Sequence, residues 1–468
     1  MLTNSQILLG YGEIFGTSYT PAQVEISFWA NRSGFTIVNL PAMICRHYLT
    51  EAMTADYLDS PTLKALKLRA LHYLYYSPTT ELLHPMANWT TPVIERVSFH
   101  TDILQSRYGR ETRHGLVYYP KIQLEYDILV YFELYQHFVN QVNYIQGRTI
   151  GIPQWHLMKV LTHALVDSGN LLTDGELVPG KYILFASYAH TEEVELELTG
   201  GILWFKNQVE MDLNTTPWIV PISKGSIRDK ISLSMISAAA ATGKVSADIK
   251  PNGGDTRNIA KVLPKIGDYP IFNEELNWVT PASMDLIRPT TLLDYGTGVT
   301  VAYDLHMYSD TLRTFTFVGR KGAFGVRDMF YQMKGKLKAF YLPSFTADMN
   351  LIKGFKYSHV TQSFQVVAAG LADAYTLANL TKFLYVKFKN REPVVCKFGQ
   401  PVEHNGIETV PVFATNGSAD PFPFDWTEDD VISISFLTLS RFNSDIIEIS
   451  WITPDLYQAS VTFTNIQQ

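Results

Sequence analysis

The residues able to do chemistry are few, and their spacing decides what each set could do. His100-Thr101-Asp102 places an imidazole and a carboxylate two positions apart, on one face if the segment is a strand. Proton transfer or metal binding there would need convergent partners that the sequence does not name, so polar residues beside a strand are the plainer reading. His156 and His163 stand seven apart and could share a helix face, but zinc wants at least a third ligand. Glu428-Asp429-Asp430, behind Pro421-Phe422-Pro423-Phe424-Asp425-Trp426, offers the oxygen ligands that calcium favours. It lacks the regular spacing of a calcium loop and reads as a solvated turn. Gly296-Thr297-Gly298 has neither the third glycine nor the following helix of a dinucleotide site, so a hairpin turn is expected. Cys45 and Cys396 are far apart in sequence and read as reduced, structural thiols.

Established catalytic motifs do not occur. There is no Gly-x-Ser-x-Gly elbow, no phosphate loop and no His-Glu-x-x-His. A carboxylate pair for sugar cleavage is set by the fold at ~5–9 Å and leaves no sequence mark. A glycan hydrolase therefore stays open as an alternative, as does a carbohydrate-binding receptor protein with an aromatic platform around Trp426 or Trp451. The expectation is a protein with no catalytic residue, no cofactor and no metal.

The elements around these residues are mostly strands. Period-two alternation marks residues 24–29, 36–38, 181–185, 193–198, 431–436 and 460–463, bounded by Gly, Asn, Asp and Pro. Residues 51–76 carry a helical rhythm through Leu63, Leu66, Leu68, Leu71 and Leu74, with Asp59-Ser60-Pro61 as cap and first-turn proline. An approximate internal duplication follows. Strand 123–128 leads to a helix with Phe132, Leu134, Phe138, Val142 and Ile145, then Gly147-Arg148 and Ile150-Gly151-Ile152-Pro153-Gln154-Trp155. Strand 313–318 leads to a helix with Val326, Met329, Phe330, Met333 and Leu337, then Gly335-Lys336 and Phe340-Tyr341-Leu342-Pro343-Ser344-Phe345. The period, near 190 residues from Pro153 to Pro343, is too long for a solenoid and reads as a duplicated domain pair.

The expected fold is mainly β (α+β) and multi-domain, with antiparallel sheets or barrels and a few helices. The segments read as 1–90, an N-terminal β/helix stretch; 91–165, a first strand-helix-strand module; 166–250, a β domain; 251–290, a connector; 291–360, a second module; and 361–468, a C-terminal β domain.

Composition agrees. Of 468 residues, 46% are hydrophobic and only 18% charged, below the ~25% of an ordinary domain. Tyr and Phe number 26 each. Low charge and many aromatics suit interface cores, and they equally suit pleated sheets. A net charge of −7 without any basic run argues against nucleic-acid binding. No apolar run approaches the ~20 residues of a membrane span, and the first ten residues lack a signal-peptide pattern. Synthesis and folding in a cytosol are expected, which makes the sequons at Asn31, Asn88, Asn214, Asn379 and Asn416 chance matches.

Several stretches together resemble a group of tailed-bacteriophage tail proteins. Pro92-Val93-Ile94-Glu95, with Thr101-Asp102-Ile103-Leu104, is similar to the group's Pro-Val-x-Glu…Thr-Asp-Val-Leu segment, and Gly109-Arg110-Glu111-Thr112-Arg113 to its Gly-x-Glu-x-Arg turn. Phe340-Tyr341-Leu342-Pro343-Ser344-Phe345, with Asp348, resembles its Phe-Trp-Leu-Pro-x-Trp-x-x-Asp stretch. Residues 434–437, 441–445, 447–451 and 461–463 echo its closing strands. The resemblance implies a structural tail-tip protein, a distal-tail or baseplate-hub component of the virion, made in the host cytoplasm. It implies self-association as a homo-trimer or homo-hexamer and contacts with tube, hub and fibre proteins. A trimer of duplicated chains would carry pseudo-sixfold symmetry, bridging a sixfold tube and a threefold tip. Gly147 and Gly335 are then expected at left-handed helix ends, Pro153 and Pro343 at strand edges or ends, and Trp155 and Phe345 as core anchors.

Overall fold

The computed structural model describes residues 82–466 apart from short internal stretches, of which 210–216 and 251–262 are the longest. The strands expected at 24–29 and 36–38, the helix expected at 51–76, Cys45 and His163 lie outside the described residues.

The chain is mainly β, with antiparallel pairings in several sheets and three α-helices among the described residues. The first half gives β1 (Val93–Ser98), β2 (Thr101–Gln105), β3 (Glu111–Gly115) and β4 (Lys121–Tyr131). Helix α1 (Phe132–Ile145) follows, then β5 (Ile150–Pro153), β6 (Lys159–Val160), β7 (Val166–Asp167) and β8 (Leu171–Leu172). Next come β9 (Gly180–Ser187), β10 (His190–Thr199), β11 (Ile202–Phe205), β12 (Trp218–Ile227), β13 (Ser232–Ser237) and β14 (Ala240–Ile249). The second half opens with β15 (Lys265–Ile266), β16 (Tyr269–Pro270), β17 (Ser283–Ile287), β18 (Thr290–Asp294), β19 (Thr300–Asp304) and β20 (Asp310–Arg320). Helix α2 (Val326–Met333), β21 (Phe340–Pro343), β22 (Ser363–Val367) and α3 (Leu371–Ala374) come next. The chain closes with β23 (Phe383–Phe388), β24 (Val394–Phe398), β25 (Val402–His404), β26 (Ile407–Ala414), β27 (Val431–Phe442), β28 (Ile446–Thr453) and β29 (Leu456–Asn465).

Two compact units result, and neither is a continuous piece of chain. Of the described residues, one holds those in 82–96, 121–255 and 450–457; the other holds those in 97–120, 256–449 and 458–466. The linear segments read from the sequence do not coincide with them, because long-range strand pairing rather than chain proximity groups these residues.

In the first unit β4 and β14 pair along ten residues, and β12 joins β14 and β5 through its C-terminal end. The N-terminal end of β12 pairs instead with β9 and β6. One strand thus serves two sheets, a common way to turn the corner of a β structure. Alternation sets the core: Tyr182, Leu184, Val194, Leu196 and Ile219 point inward together.

The second unit repeats the plan. Strand β27 pairs with β23 through its first half and with β21 and β29 through its second. Its core is aromatic. Tyr357 stacks on Trp426 at 5.2 Å and 6°, with Phe364, Phe388 and Phe422 packed around the pair. Phe317, Phe340, Phe442 and Phe463 form a second such group. Much of the aromatic content is therefore spent on packing within the chain.

The duplication holds hydrogen bond by hydrogen bond. Gln154 donates its N–H to the Pro221 carbonyl at 2.8 Å, and Ser344 donates to Phe436 at 2.9 Å. Arg228 to Ser246 (2.8 Å) matches Asn443 to Thr462 (2.9 Å), and Lys250 to Lys224 (2.8 Å) matches Ile466 to Leu439 (2.9 Å). Pro153 opposes Ile222 as Pro343 opposes Leu437. The hairpins β2–β3 and β18–β19 share one register, Thr101 opposite Gly115 and Thr290 opposite Asp304.

The repeat also reaches into the stretch read as a connector. Asn88-Trp89-Thr90-Thr91-Pro92 and Asn277-Trp278-Val279-Thr280-Pro281 fold into the same turn. In both, the threonine N–H bonds back to the asparagine carbonyl at 3.3 Å, and the asparagine Oδ1 accepts a second N–H. Residues 271–287 are thus the counterpart of 82–98.

Candidate functional site

The residues singled out for chemistry do not converge. His100 and Asp102 are both exposed at the start of β2. Gly296 and Gly298, at φ +71° and +76°, lie in the loop joining β18 to β19. In the Glu428–Asp430 turn, Asp430 accepts from the Thr427 N–H (2.9 Å) and hydroxyl (3.0 Å), and Glu428 accepts from the Gly354 N–H at 2.7 Å. The Thr427 bonds hold the Asp430 carboxyl below the usual carboxylate range. Those carboxylates cap backbone. Among the described residues no group of three or more His, Cys, Asp or Glu is placed to hold a metal ion. No helix among them is long and apolar enough to cross a membrane.

His156 sits in a 3-10 turn, Trp155–Leu157, rather than on the helix its spacing allowed. There it joins the buried polar group of the first unit. Its Nε2 is 3.9 Å from Glu95 Oε2, its ring is 5.1 Å from that of Trp451, and Trp451 Nε1 donates to Glu95 at 3.0 Å. His156 and Glu95 are each 1% exposed, so these groups secure packing and meet no solvent.

The six residues carried by the resemblance fall three in each unit. Gly147 and Gly335 have φ of +74° and +63° just past α1 and α2, where a side chain would be strained. Helix α2 ends sooner than its apolar rhythm suggests, at the left-handed Lys334, so Leu337 lies beyond it and packs near Gly115. Pro153 and Pro343 end β5 and β21. Trp155 is 2% exposed. Phe345 departs from the core-anchor expectation: it is half-buried at φ +60°, its ring edge-on to Phe315 at 5.3 Å. Trp426 and Trp451, around which the alternative receptor-binding reading would place an aromatic platform, are buried at 3% and 2%.

What stands out is a difference between equivalent strands. Strand β1 pairs with β4 and with β28, and Val93, Glu95 and Val97 are buried. Its counterpart β17 pairs with β20 alone among the described residues, and all five of its residues are exposed. Met284, Leu286 and Ile287 are 58%, 69% and 43% exposed, and Trp278 in the preceding turn is 60% exposed. Strand β13 offers a second bare edge: it pairs with β14, while Met235 and Ile236 are exposed. Unpaired backbone donors and acceptors beside apolar side chains form a ready template for another strand. The signal was present in sequence as the two Asn-Trp-x-Thr-Pro turns, which fix the register in which β1 and β17 are compared.

No protein-family model matches the chain, and comparison with curated proteins gives no match.

Proposed function

We propose that this chain is a structural component of a bacteriophage tail tip. It is a distal-tail or baseplate-hub subunit that forms a ring-like homo-oligomer and joins the tail tube to tip or fibre proteins. The observation that carries the ring is the bare β17 beside the covered β1. A chain that builds one plan twice, and covers it once, is suited to completion by copies of itself. Assignment to a tail rests on the sequence resemblance, whose segments fall on β1 to β3, β21 and β27 to β29. In this reading the chain works by burial and strand pairing, without a catalytic group or cofactor, and resides in the virion after synthesis in the host cytoplasm. Imaging of particles carrying a labelled copy tests it. Label at the tail end far from the capsid is expected; label on the capsid, or particles that lack it, would end the proposal.

A further inference from the structure

Two bare strands invite the question of what covers them, and the covered repeat answers it. Strand β1 lies between β4, whose counterpart β20 pairs with β17, and β28. The β1–β28 pair is secured in the first unit by the Glu95–Trp451 hydrogen bond and by burial of Val93 and Trp451. Within its repeat, β28 precedes β29 across a two-residue turn at 454–455. Strand β13 likewise precedes β14 in sequence and pairs with it, and β14 and β29 are counterparts by their matched bonds to β12 and β27. The counterpart of β28 is therefore β13.

We infer that β17 of one copy pairs with β13 of a neighbouring copy, as β1 pairs with β28. Among the described residues β17 pairs with β20 alone and β13 with β14 alone, so in this reading the partner strand comes from a second copy. Their side chains suit the role. The inward positions of β1, Val93, Glu95 and Val97, correspond to Ala282, Met284 and Leu286. Those of β28, Ile447, Ile449 and Trp451, correspond to Ile231, Leu233 and Met235. Where Glu95 meets Trp451, Met284 meets Met235, an apolar pair that needs no hydrogen bond. Strand addition to an exposed edge supplies main-chain bonds, and the inward side chains supply specificity.

The hairpin after each strand extends the parallel. Residues 97–120 belong to the first repeat in sequence but to the second unit in space. Thr101 donates its N–H to Asp445 at 2.8 Å, and Arg441 grips Glu111 through two bonds of 2.9 and 2.8 Å. Hairpin β18–β19 shares the register of β2–β3. Each copy offers one β17 and one β13, a head-to-tail contact of the kind that builds a ring when its rotation closes.

The inference deepens the ring of the proposed function and rests on it. The test is a Met235→Cys/Met284→Cys chain in a Cys45→Ser background, oxidised and run on a non-reducing gel. Covalent multimers ending at the ring number are expected. Each single variant should stay uncross-linked, and a mixture of the two singles should stop at dimers. An assembled protein that does not cross-link overturns the strand pairing and leaves the ring standing. A monomer without cross-links overturns both. Leu286→Asp, at an exposed position, is expected to abolish assembly with the circular dichroism spectrum unchanged; full assembly of that variant also overturns the pairing.

Discussion

The buried trio Glu95, His156 and Trp451 shows what single residues do in this chain. Glu95 is inside an apolar core yet accepts the indole N–H, and truncating it leaves that donor unmet. Glu95→Ala is expected to cost about 1–3 kcal/mol and Trp451→Ala about 3–5 kcal/mol in urea unfolding. Glu125 adds a pH term. Burial works to raise its pKa, but hydrogen bonds from Lys244 and from Arg96 (2.7 Å) outweigh it and leave the carboxyl below its ordinary value. A folded-state pKa below the unfolded one adds stability above the unfolded value of about 4.3, lost as pH falls through the folded value. Glu125→Gln should be less stable at pH 7 by ~1 kcal/mol or less, and the gap should close in acid. Burial pushes the Cys396 thiol well above its ordinary pKa. In a Cys45→Ser chain, Cys396 should resist maleimide until urea unfolds it, as mass spectrometry would show. None of these roles was legible from spacing, since the trio is drawn from positions 95, 156 and 451 and only the fold unites them.

At the scale of elements the sequence was more open. Period-two runs lie within β4, β9, β10, β20, β27 and β29, because a strand with one face in a core must alternate. Strand β17, Ser-Met-Asp-Leu-Ile, escaped notice within the supposed connector. All five of its residues are exposed in the single chain, so no alternation of buried and exposed positions marks it. The helix after β20 was read too long, since Leu337 keeps the apolar rhythm beyond the left-handed Lys334. Crowding between strands gives an element-scale test. A Cβ on Gly225 would lie 2.4 Å from the Asp248 carbonyl, where β12 crosses to β14. Backbone cannot yield as a side-chain tip does, so Gly225→Ala is expected to cost about 1–3 kcal/mol and lower the thermal midpoint.

For the whole molecule, the duplicated plan explains why so little charge and so much apolar surface can coexist in one chain. Many of the apolar residues are core, and the exposed side chains on β17 and β13 are where copies are expected to meet. The two Asn-Trp-x-Thr-Pro turns set the repeats in register in the sequence, but exposure is a property of pairing, so the difference between β1 and β17 is legible only in the fold. Sedimentation velocity of the purified full chain tests self-association most directly. One narrow boundary at an integral multiple of 53.0 kDa, stable on dilution and lost in Leu286→Asp, is predicted. A single species of 53.0 kDa at every concentration would contradict it.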